Sequence, residues 1–299
     1  MLTATENAYA KINLFLDVIG AREDGFHNIE TVMQAVSLHD TVTVAAEPQS
    51  EREITLSISY QGGALSPLPE DERNLAYRAA VAYLERSAVA AKITISIIKR
   101  IPVLAGLGGG SADAAATLRA LNRIFRALGE DDLISLAAQL GSDVPFCLAC
   151  GSAFCEGRGE IVHPIPHTGA ELYYVIVSPG NAVSTPLAYS ELDRIYGDYS
   201  GRRRRDFREE YKAFVSAVSN GKAPENPLFN IFEDSEASFS QSTRRAKTAL
   251  VSCGALCALM SGSGPACFGV FGTKNKAEMA TKELISEGFV AYFAESVQR

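Results

Sequence analysis

Gly106, Gly108, Gly109 and Gly110 crowd into PVLAGLGGGSADAAA, the stretch from Pro102 to Ala116, and lead straight into helical sequence. A loop without side chains bends sharply and presents its backbone N–H groups, so an anion can approach closely, and phosphate is the anion this suggests. Ala114, Leu118, Leu121 and Phe125 repeat at the spacing of one buried helix face. That spacing makes Ser111 the expected N-cap and adds the positive end of a helix dipole to the same anion. Asp113 reads as a first-turn acid favoured by that dipole. The loop is not a Walker A sequence, because Gly-x-x-x-x-Gly-Lys-Ser/Thr is absent, and Ser111 stands where a dinucleotide fingerprint needs its third glycine. A flexible connector ahead of a capped helix is the plainer alternative.

The elements that must position this loop follow from periodicity. Ala10, Ile12, Leu14, Leu16 and Val18 alternate with Lys11, Asn13, Phe15 and Asp17, which predicts a strand with one face in the core and Lys11 and Asn13 together on the opposite, solvent face. A turn is expected at Gly20 to Gly25, strands at Thr41 to Val44 and Ile54 to Tyr60, a loop from Gly62 to Pro69, and a helix from about Asn74 to Ser87. Ile93, Ile95 and Ile97 mark a strand that delivers the chain to the glycine loop, and strand, glycine turn, helix is the order an anion site needs. Helical sequence resumes at Asp131 to Leu140 and is broken by Gly141-Ser-Asp-Val-Pro145. Leu172 to Val177 is a short apolar run, Pro186 to Asn220 has helical character, and a helix through Ala246 to Ala258 meets a second glycine turn at Met260 to Ala266 and a strand through Phe271.

With 299 residues, 47% hydrophobic and 21% charged, the chain has the length of two domains and the composition of a soluble globular protein. A formal charge of −7 argues against a nucleic-acid-binding surface, and the run Arg202 to Arg205 is offset by Asp206, Glu209 and Glu210. Glu6 and Lys11 interrupt any apolar signal core and no segment has the length of a membrane span, so a cytoplasmic protein with no membrane partner is expected. Cys147, Cys150, Cys253 and Cys257 offer four zinc ligands on spacing alone, but the apolar runs around them favour small buried hydrophobes.

Four segments together carry a resemblance: AYAKINLFLDVIGAREDGFHNIETVMQ from Ala8, PVLAGLGGGSADAAA from Pro102, GSDVPF from Gly141 and MSGSGPACFGVF from Met260. They closely resemble the GHMP kinase superfamily over nearly the whole chain, least from Ser200 to Ala223. The resemblance implies an α+β, two-domain fold, with an N-terminal domain like the second domain of ribosomal protein S5 and a C-terminal ferredoxin-like domain. Residues 1–165 would bind nucleotide and hold the catalytic groups, residues 166–299 would bind substrate, and the active site would lie in the cleft between them. It also implies an ATP-dependent kinase with Mg²⁺, acting on a small alcohol. The segment with Lys11, Asn13 and Asp24-Gly25-Phe26-His27 narrows the acceptor to the 2-hydroxyl of a cytidylylated methylerythritol.

By the same resemblance, ATP phosphates lie on Gly106, Gly108, Gly109, Gly110 and Ser111, with the adenine near Asn74 and Lys99, and Pro102 also binds the nucleotide. Asp143 is the general base, where spacing alone would make it a turn cap before Pro145, and Lys11 is its electrostatic partner. Ser111 reaches Mg²⁺ through its hydroxyl, or is a plain N-cap. Asn13, Phe26, His27 and Tyr189 hold the substrate, with the cytosine between the rings of Phe26 and Tyr189 and His27 at its edge, while Gly262 and Gly264 close the far wall. Ordinary core for Phe26, a turn histidine for His27 and a simple helix-to-strand turn at the two glycines are the alternatives. Ala112, Phe26 and Cys150 depart from the serine, tyrosine and glycine common in the family, and only Phe26, by losing a phenolic hydroxyl, bears on the substrate. Another acceptor alcohol, or a catalytically silent nucleotide-binding relative, are competing readings; Gly25 to Gln34 counts against the first and the presence of Lys11 and Asp143 against the second. A monomer or homodimer is expected.

Overall fold

The computed structural model describes residues 1–61, 67–166, 169–180, 183–202 and 204–298. Part of the loop expected at 62–69, and Arg203 of the basic run, lie outside the described residues. The chain forms two compact units that exchange segments: Met1–Ala10, His39–Val103 and Gly108–Ala149 make the first, and Lys11–Leu38, Leu104–Leu107 and the chain from Cys150 onward the second.

In the first unit, the beginning of β1 (Leu2–Ala21) and the end of β2 (His27–Pro48) share a sheet with β3 (Glu53–Tyr60) and β4 (Ala91–Lys99) in the order β3-β4-β2-β1. β4 runs antiparallel to β2 and parallel to β3, and α1 (Leu75–Ser87) makes the crossover that a parallel pair requires. Ile93, Ile95 and Ile97 are buried as their alternation requires, each contributing about 1.5 to 3 kcal/mol by leaving water. Asn74 caps α1 by accepting a hydrogen bond from the N–H of Ala76. Next come α2 (Gly109–Phe125), α3 (Glu130–Leu140) and a short α4 (Val144–Ala149). The buried face of α2 is mostly alanine, which lets neighbouring helices pack closely.

In the second unit, the rest of β1 and the start of β2 form a hairpin across residues 22–26. β5 (Ser152–Gly157) pairs antiparallel with β2 at Ile29 to Gln34, and β6 (Ile161–Ile165) pairs with β5. A separate antiparallel sheet begins at β7 (Tyr173–Ser178). After it come α5 (Thr185–Tyr196), α6 (Phe207–Ser219), the two-residue β8 (Phe229–Asn230) beside β1, α7 (Gln241–Ser252), β9 (Cys257–Met260), β10 (Cys267–Phe271), α8 (Lys274–Ser286) and β11 (Val290–Glu295). The sheet order β11-β7-β10-β9, with α7 and α8 as the crossovers, is the ferredoxin-like arrangement that the resemblance implies. Val175, Val177, Leu250, Phe271 and Leu284 lie in its apolar core.

Several elements differ from the sequence reading, each for a physical reason. β1 is buried on both faces: Phe15 is fully covered, and Lys11, Asn13 and Asp17 are buried too, so Lys11 and Asn13 do not face solvent. Alternation gave the strand correctly but could not show that its polar face is also covered. Ser111 is not the N-cap of α2; Gly108 is, in left-handed backbone with φ +70°, so Ser111 falls inside the first turn. Asp113 is accordingly beyond the first turn and buried. The helix expected to reach Ala258 ends at Ser252, and Ala258 belongs to β9. The stretch from Pro186 to Asn220 is two helices, because Gly197 ends α5 and Asp206 caps α6 anew. Pro145 lies within α4, in the first turn where proline is tolerated, although α3 does stop at Leu140.

Candidate active site

In the second unit the first part of the glycine loop presses on the second glycine turn. Gly106 has φ +79°, and a Cβ there would lie 2.3 Å from the carbonyl oxygen of Ser261, so no other residue fits without displacing backbone. The two turns are tied together by the Ser261 hydroxyl, which donates to the Gly106 carbonyl at 3.1 Å, and by the N–H of Ala266, which donates to the Ala105 carbonyl at 3.1 Å. The Asn230 amide donates to the carbonyls of Met260 and Gly262, both at 2.8 Å, and holds the second turn from the other side. Asn230 passed unnoticed in the sequence, where nothing local distinguishes it.

Lys11 lies against this double turn. Its backbone N–H donates to the Leu107 carbonyl at 2.9 Å, and its ammonium, almost wholly buried, donates to Asn13 Oδ1 at 2.8 Å. The Asn13 amide donates to Thr31 Oγ1 at 2.9 Å, and that hydroxyl donates to the Phe15 carbonyl at 2.6 Å. The chain of donors leaves Asn13 a single orientation, with its oxygen on the lysine. A Cβ on Gly262 would come within 3.5 Å of Lys11 Nζ and 3.1 Å of the Gly106 carbonyl, so the ammonium has backbone close by on that side. The structure therefore brings Lys11, Asn13, Gly106 and Gly262 together, with Gly264 (φ +84°) two residues beyond on the same turn.

In the first unit, α2 begins at Gly109 and its first helical bond runs from Ala112 to the Gly108 carbonyl. The N–H groups of Gly109, Gly110 and Ser111 precede that bond and suit an anion. Beneath them sits a buried cluster that sequence reasoning missed. The Lys99 ammonium pairs with Asp40 and, at 2.7 Å, with Asp113. It lies 3.3 Å from where a Cβ on Gly109 would be. Burial works against the charge on Lys99, but the two carboxylates outweigh it and raise its pKa. Burial also pushes the Asp113 carboxyl up to about 7, even with Lys99 beside it. The ammonium expected near an adenine is thus taken up by the chain's own carboxylates. Asn74 is likewise engaged, through the cap bond and a 2.9 Å hydrogen bond to the Pro69 carbonyl, while Pro102 is partly exposed on the loop. Asp143, half-buried, stands at the start of α4 and its carbonyl accepts from the N–H of Cys147 at 3.0 Å.

The second unit also gathers the residues expected at a base. Phe26 is half-exposed, with the Arg158 guanidinium over its ring at 4.9 Å. The His27 ring lies nearly flat on Tyr189, centroids 4.5 Å apart, and Tyr189 meets Phe232 edge-on at 4.9 Å. His27 Nε2 is 2.7 Å from Asp193 Oδ1, and the Tyr199 hydroxyl donates to the same oxygen at 2.9 Å. Asp193, Tyr199 and Arg158 carry no sequence signal, since only the fold brings them to the hairpin. Cys147, Cys155 and Cys267 are buried, and burial pushes the Cys257 thiol up to about 12. Among the described residues no three His, Cys, Asp or Glu side chains converge to hold a metal by themselves. No described helix is long and apolar enough to cross a membrane.

Residues 74–151 match the GHMP kinases N terminal domain and residues 215–291 the GHMP kinases C terminal domain. The chain is 40% identical over 280 residues to a 4-diphosphocytidyl-2-C-methyl-D-erythritol kinase of Caldicellulosiruptor bescii, covering 93% of this chain and 92% of that one. It is 35% identical over 284 residues to the kinase of the same name from Clostridium acetobutylicum, covering 94% and 95%. A crystal structure of 4-(cytidine 5'-diphospho)-2C-methyl-D-erythritol kinase superposes with a TM-score of 0.78 at 32% identity, covering 98% of both chains. Homoserine kinase from Cytophaga hutchinsonii, at 20% identity and a TM-score of 0.70, shares the fold. Identity of this depth along nearly the full length is what descent within one enzyme family leaves behind, and this chain belongs to the 4-diphosphocytidyl-2-C-methyl-D-erythritol kinases of the GHMP kinase family.

Proposed function

We propose that this kinase transfers the γ-phosphoryl group of ATP to the 2-hydroxyl of 4-diphosphocytidyl-2-C-methyl-D-erythritol, a step in isoprenoid precursor synthesis. The observation that carries the reading is the double glycine turn with Lys11 buried against it, in a chain whose relatives bear that activity in their names over nine-tenths of their length. Phosphoryl transfer demands positioning, charge neutralisation and a hydroxyl held in line. Gly106 and the N–H groups from Gly108 to Ser111 cradle the phosphates. Asn74, Lys99 and Pro102 border the nucleotide, the first two by fixing backbone, since their side chains are bonded within the chain. Asp143 accepts the proton of the attacking hydroxyl. Lys11, oriented by Asn13, offsets charge on the transferring group, and Gly262 and Gly264 shape the wall beside it. Residues 1–165 carry the nucleotide and catalytic groups, and residues 166–299 complete the substrate side. A cytoplasmic location and a monomer or homodimer belong to the same proposal. Purified protein, labelled ATP and a panel of acceptors test it. Label on the cytidylylated methylerythritol and not on methylerythritol is the expected result, and label on another alcohol alone would overturn it.

Mg²⁺ carried on the nucleotide would neutralise the phosphates, and the Ser111 hydroxyl is the side chain that would help hold it. Turnover is expected to follow added Mg²⁺, and metal analysis of the dialysed protein is expected to find no stoichiometric zinc. Retained zinc lost on replacing Cys147 and Cys257 would mean those thiols are ligands.

On this reading Phe26 and Tyr189, whose rings are covered on one side by Arg158 and His27 respectively, stack on the base, and a lost stacking platform costs about 1 to 3 kcal/mol. Phe26→Ala and Tyr189→Ala are therefore expected to raise KM for the cytidylylated substrate about 10- to 100-fold and leave KM for ATP nearly unchanged. Tyr189→Ala should be the more damaging, because it also removes the support of the His27 ring. Steady-state kinetics with each substrate varied in turn decide it; a rise confined to ATP would misplace the pocket.

A further inference from the structure

His27 has two ring nitrogens, and the structure accounts for one of them. Nε2 faces Asp193 Oδ1 at 2.7 Å, and among the described residues Nδ1 takes no hydrogen bond. An ionised carboxylate can only accept, so the proton of a neutral imidazole is on Nε2 and the lone pair is on Nδ1. Asp193 is itself held: Tyr199, buried, donates its hydroxyl to the same oxygen at 2.9 Å. Burial, reinforced by the hydrogen bond to Asp193, raises the pKa of that phenol and keeps it a donor. The ring has little freedom to flip, because Tyr189 lies flat against it at 4.5 Å, Tyr199 meets it edge-on at 6.2 Å, and only 9% of the side chain is exposed. The carboxylate, the phenol and the two aromatic walls together specify one tautomer in one orientation.

We propose that Asp193 is a specificity-determining positioning residue: by fixing the Nε2–H tautomer of His27 it leaves Nδ1 as an acceptor, which admits the amino group of cytosine and refuses the carbonyl of uracil. This rests on the reading of Phe26, His27 and Tyr189 as the base pocket. Stacking on an aromatic ring is nearly indifferent to the base, so discrimination between the two pyrimidines must come from a polar atom of fixed sense. Cytosine and uracil differ at that edge by an amino donor against a carbonyl acceptor. A lone pair on Nδ1 bonds the first and opposes the second, and a protonated Nδ1 would do the reverse. Asn in place of Asp193 can turn either its oxygen or its NH₂ toward Nε2, and so no longer dictates where the imidazole proton resides.

Two measurements test this separately. The chain has four histidines, so ¹⁵N spectra of histidine-labelled protein resolve the tautomer of His27 without any substrate, assigned by its loss in His27→Ala. The expected result is a protonated Nε2 with an unprotonated Nδ1, replaced by a tautomer mixture in Asp193→Asn. Kinetics with the cytidine and uridine forms of the substrate give the second readout. The ratio of kcat/KM for cytidine over uridine is expected to fall about 10- to 100-fold in Asp193→Asn, with KM for ATP unchanged. Tyr199→Phe, which keeps the carboxylate, should preserve most of the ratio. An Nδ1–H tautomer in the parent protein, or an unchanged ratio in a folded Asp193→Asn enzyme that still prefers cytidine, would overturn the role of Asp193 and leave the pocket standing. A parent enzyme that uses both nucleotides equally would overturn the pocket reading and the inference with it.

Discussion

Asp143→Asn is expected to lower kcat by about 10² to 10⁴ fold, the range for loss of a positioned general base, while the protein remains folded. The exchange removes a proton acceptor and leaves the shape unchanged. The Asp143 carbonyl accepts from the N–H of Cys147 at 3.0 Å at the start of α4, and an asparagine, of the same size and shape, keeps that bond. Circular dichroism and the melting temperature are expected to match the parent, and KM for ATP to change little, because the proposed phosphate site is the set of N–H groups at the start of α2 and not Asp143. Near-normal turnover in Asp143→Asn would reduce the residue to a turn former ahead of Pro145. The companion change Lys11→Arg should be impaired for a different reason. The Lys11 ammonium is buried, donates to Asn13 Oδ1 at 2.8 Å, and has the Gly262 backbone close enough that even a single added carbon there would come within 3.5 Å of it. A planar guanidinium carries the same charge but needs more room and spreads its donors over a fork, so charge alone should not rescue it. Full activity in Lys11→Arg would show that the compact ammonium is not required.

How much of this was legible in the residues depends on the reach of each signal. Local signals were read well: the helix expected from about Asn74 to Ser87 is α1, the isoleucine alternation gave β4, and the glycines of the loop gave the start of α2 to within a few residues. The ferredoxin-like unit came from the resemblance, because β9, β10, α8 and β11 are short, and their pairing with β7 joins residues far apart in sequence. The misreadings of polar residues share one cause. Lys11 and Asn13 alternate like solvent residues, and Asp113 looks like a dipole acid, yet all three are buried among polar partners that arrive from elsewhere in the chain. Thr31 completes the Asn13 chain from a neighbouring strand, and Asp40 joins Lys99 from 59 residues away. Burial of a polar residue is decided by those distant partners, and a period-two or period-3.6 pattern carries no information about them. The same holds for Asp193 and Tyr199, which meet His27 only because α5 and the residues after it fold back on the hairpin.

Gly106→Ala is expected to cut kcat/KM for ATP by about 10² fold or more, by moving the loop proposed to hold the phosphates and not by removing any functional atom. Three features of the site compound. The residue has φ +79°, which an L side chain adopts only under strain of about 1 to 2 kcal/mol. Its Cβ would stand 2.3 Å from the Ser261 carbonyl oxygen and 3.0 Å from that of Gly264, and both are backbone, so neither can swing aside as a side chain would. Relief must come from separating the two glycine turns, which breaks the 3.1 Å bond from the Ser261 hydroxyl to the Gly106 carbonyl. The displacement passes directly along the chain to Gly108 and the first N–H groups of α2, two residues on. A phosphoryl-transfer site depends on placement more than on any one group, and a shift of about 1 Å is enough for a loss of this size. Gly129→Ala is the matching control. Gly129 has ordinary negative φ, and nothing lies within 4 Å of its would-be Cβ, so activity there should be unchanged. Isothermal titration with a non-hydrolysable ATP analogue, alongside kinetics and a melting curve, separates a misplaced loop from an unfolded chain. Parent-like nucleotide affinity and turnover in Gly106→Ala would mean that contact between the two turns is not what shapes the phosphate loop.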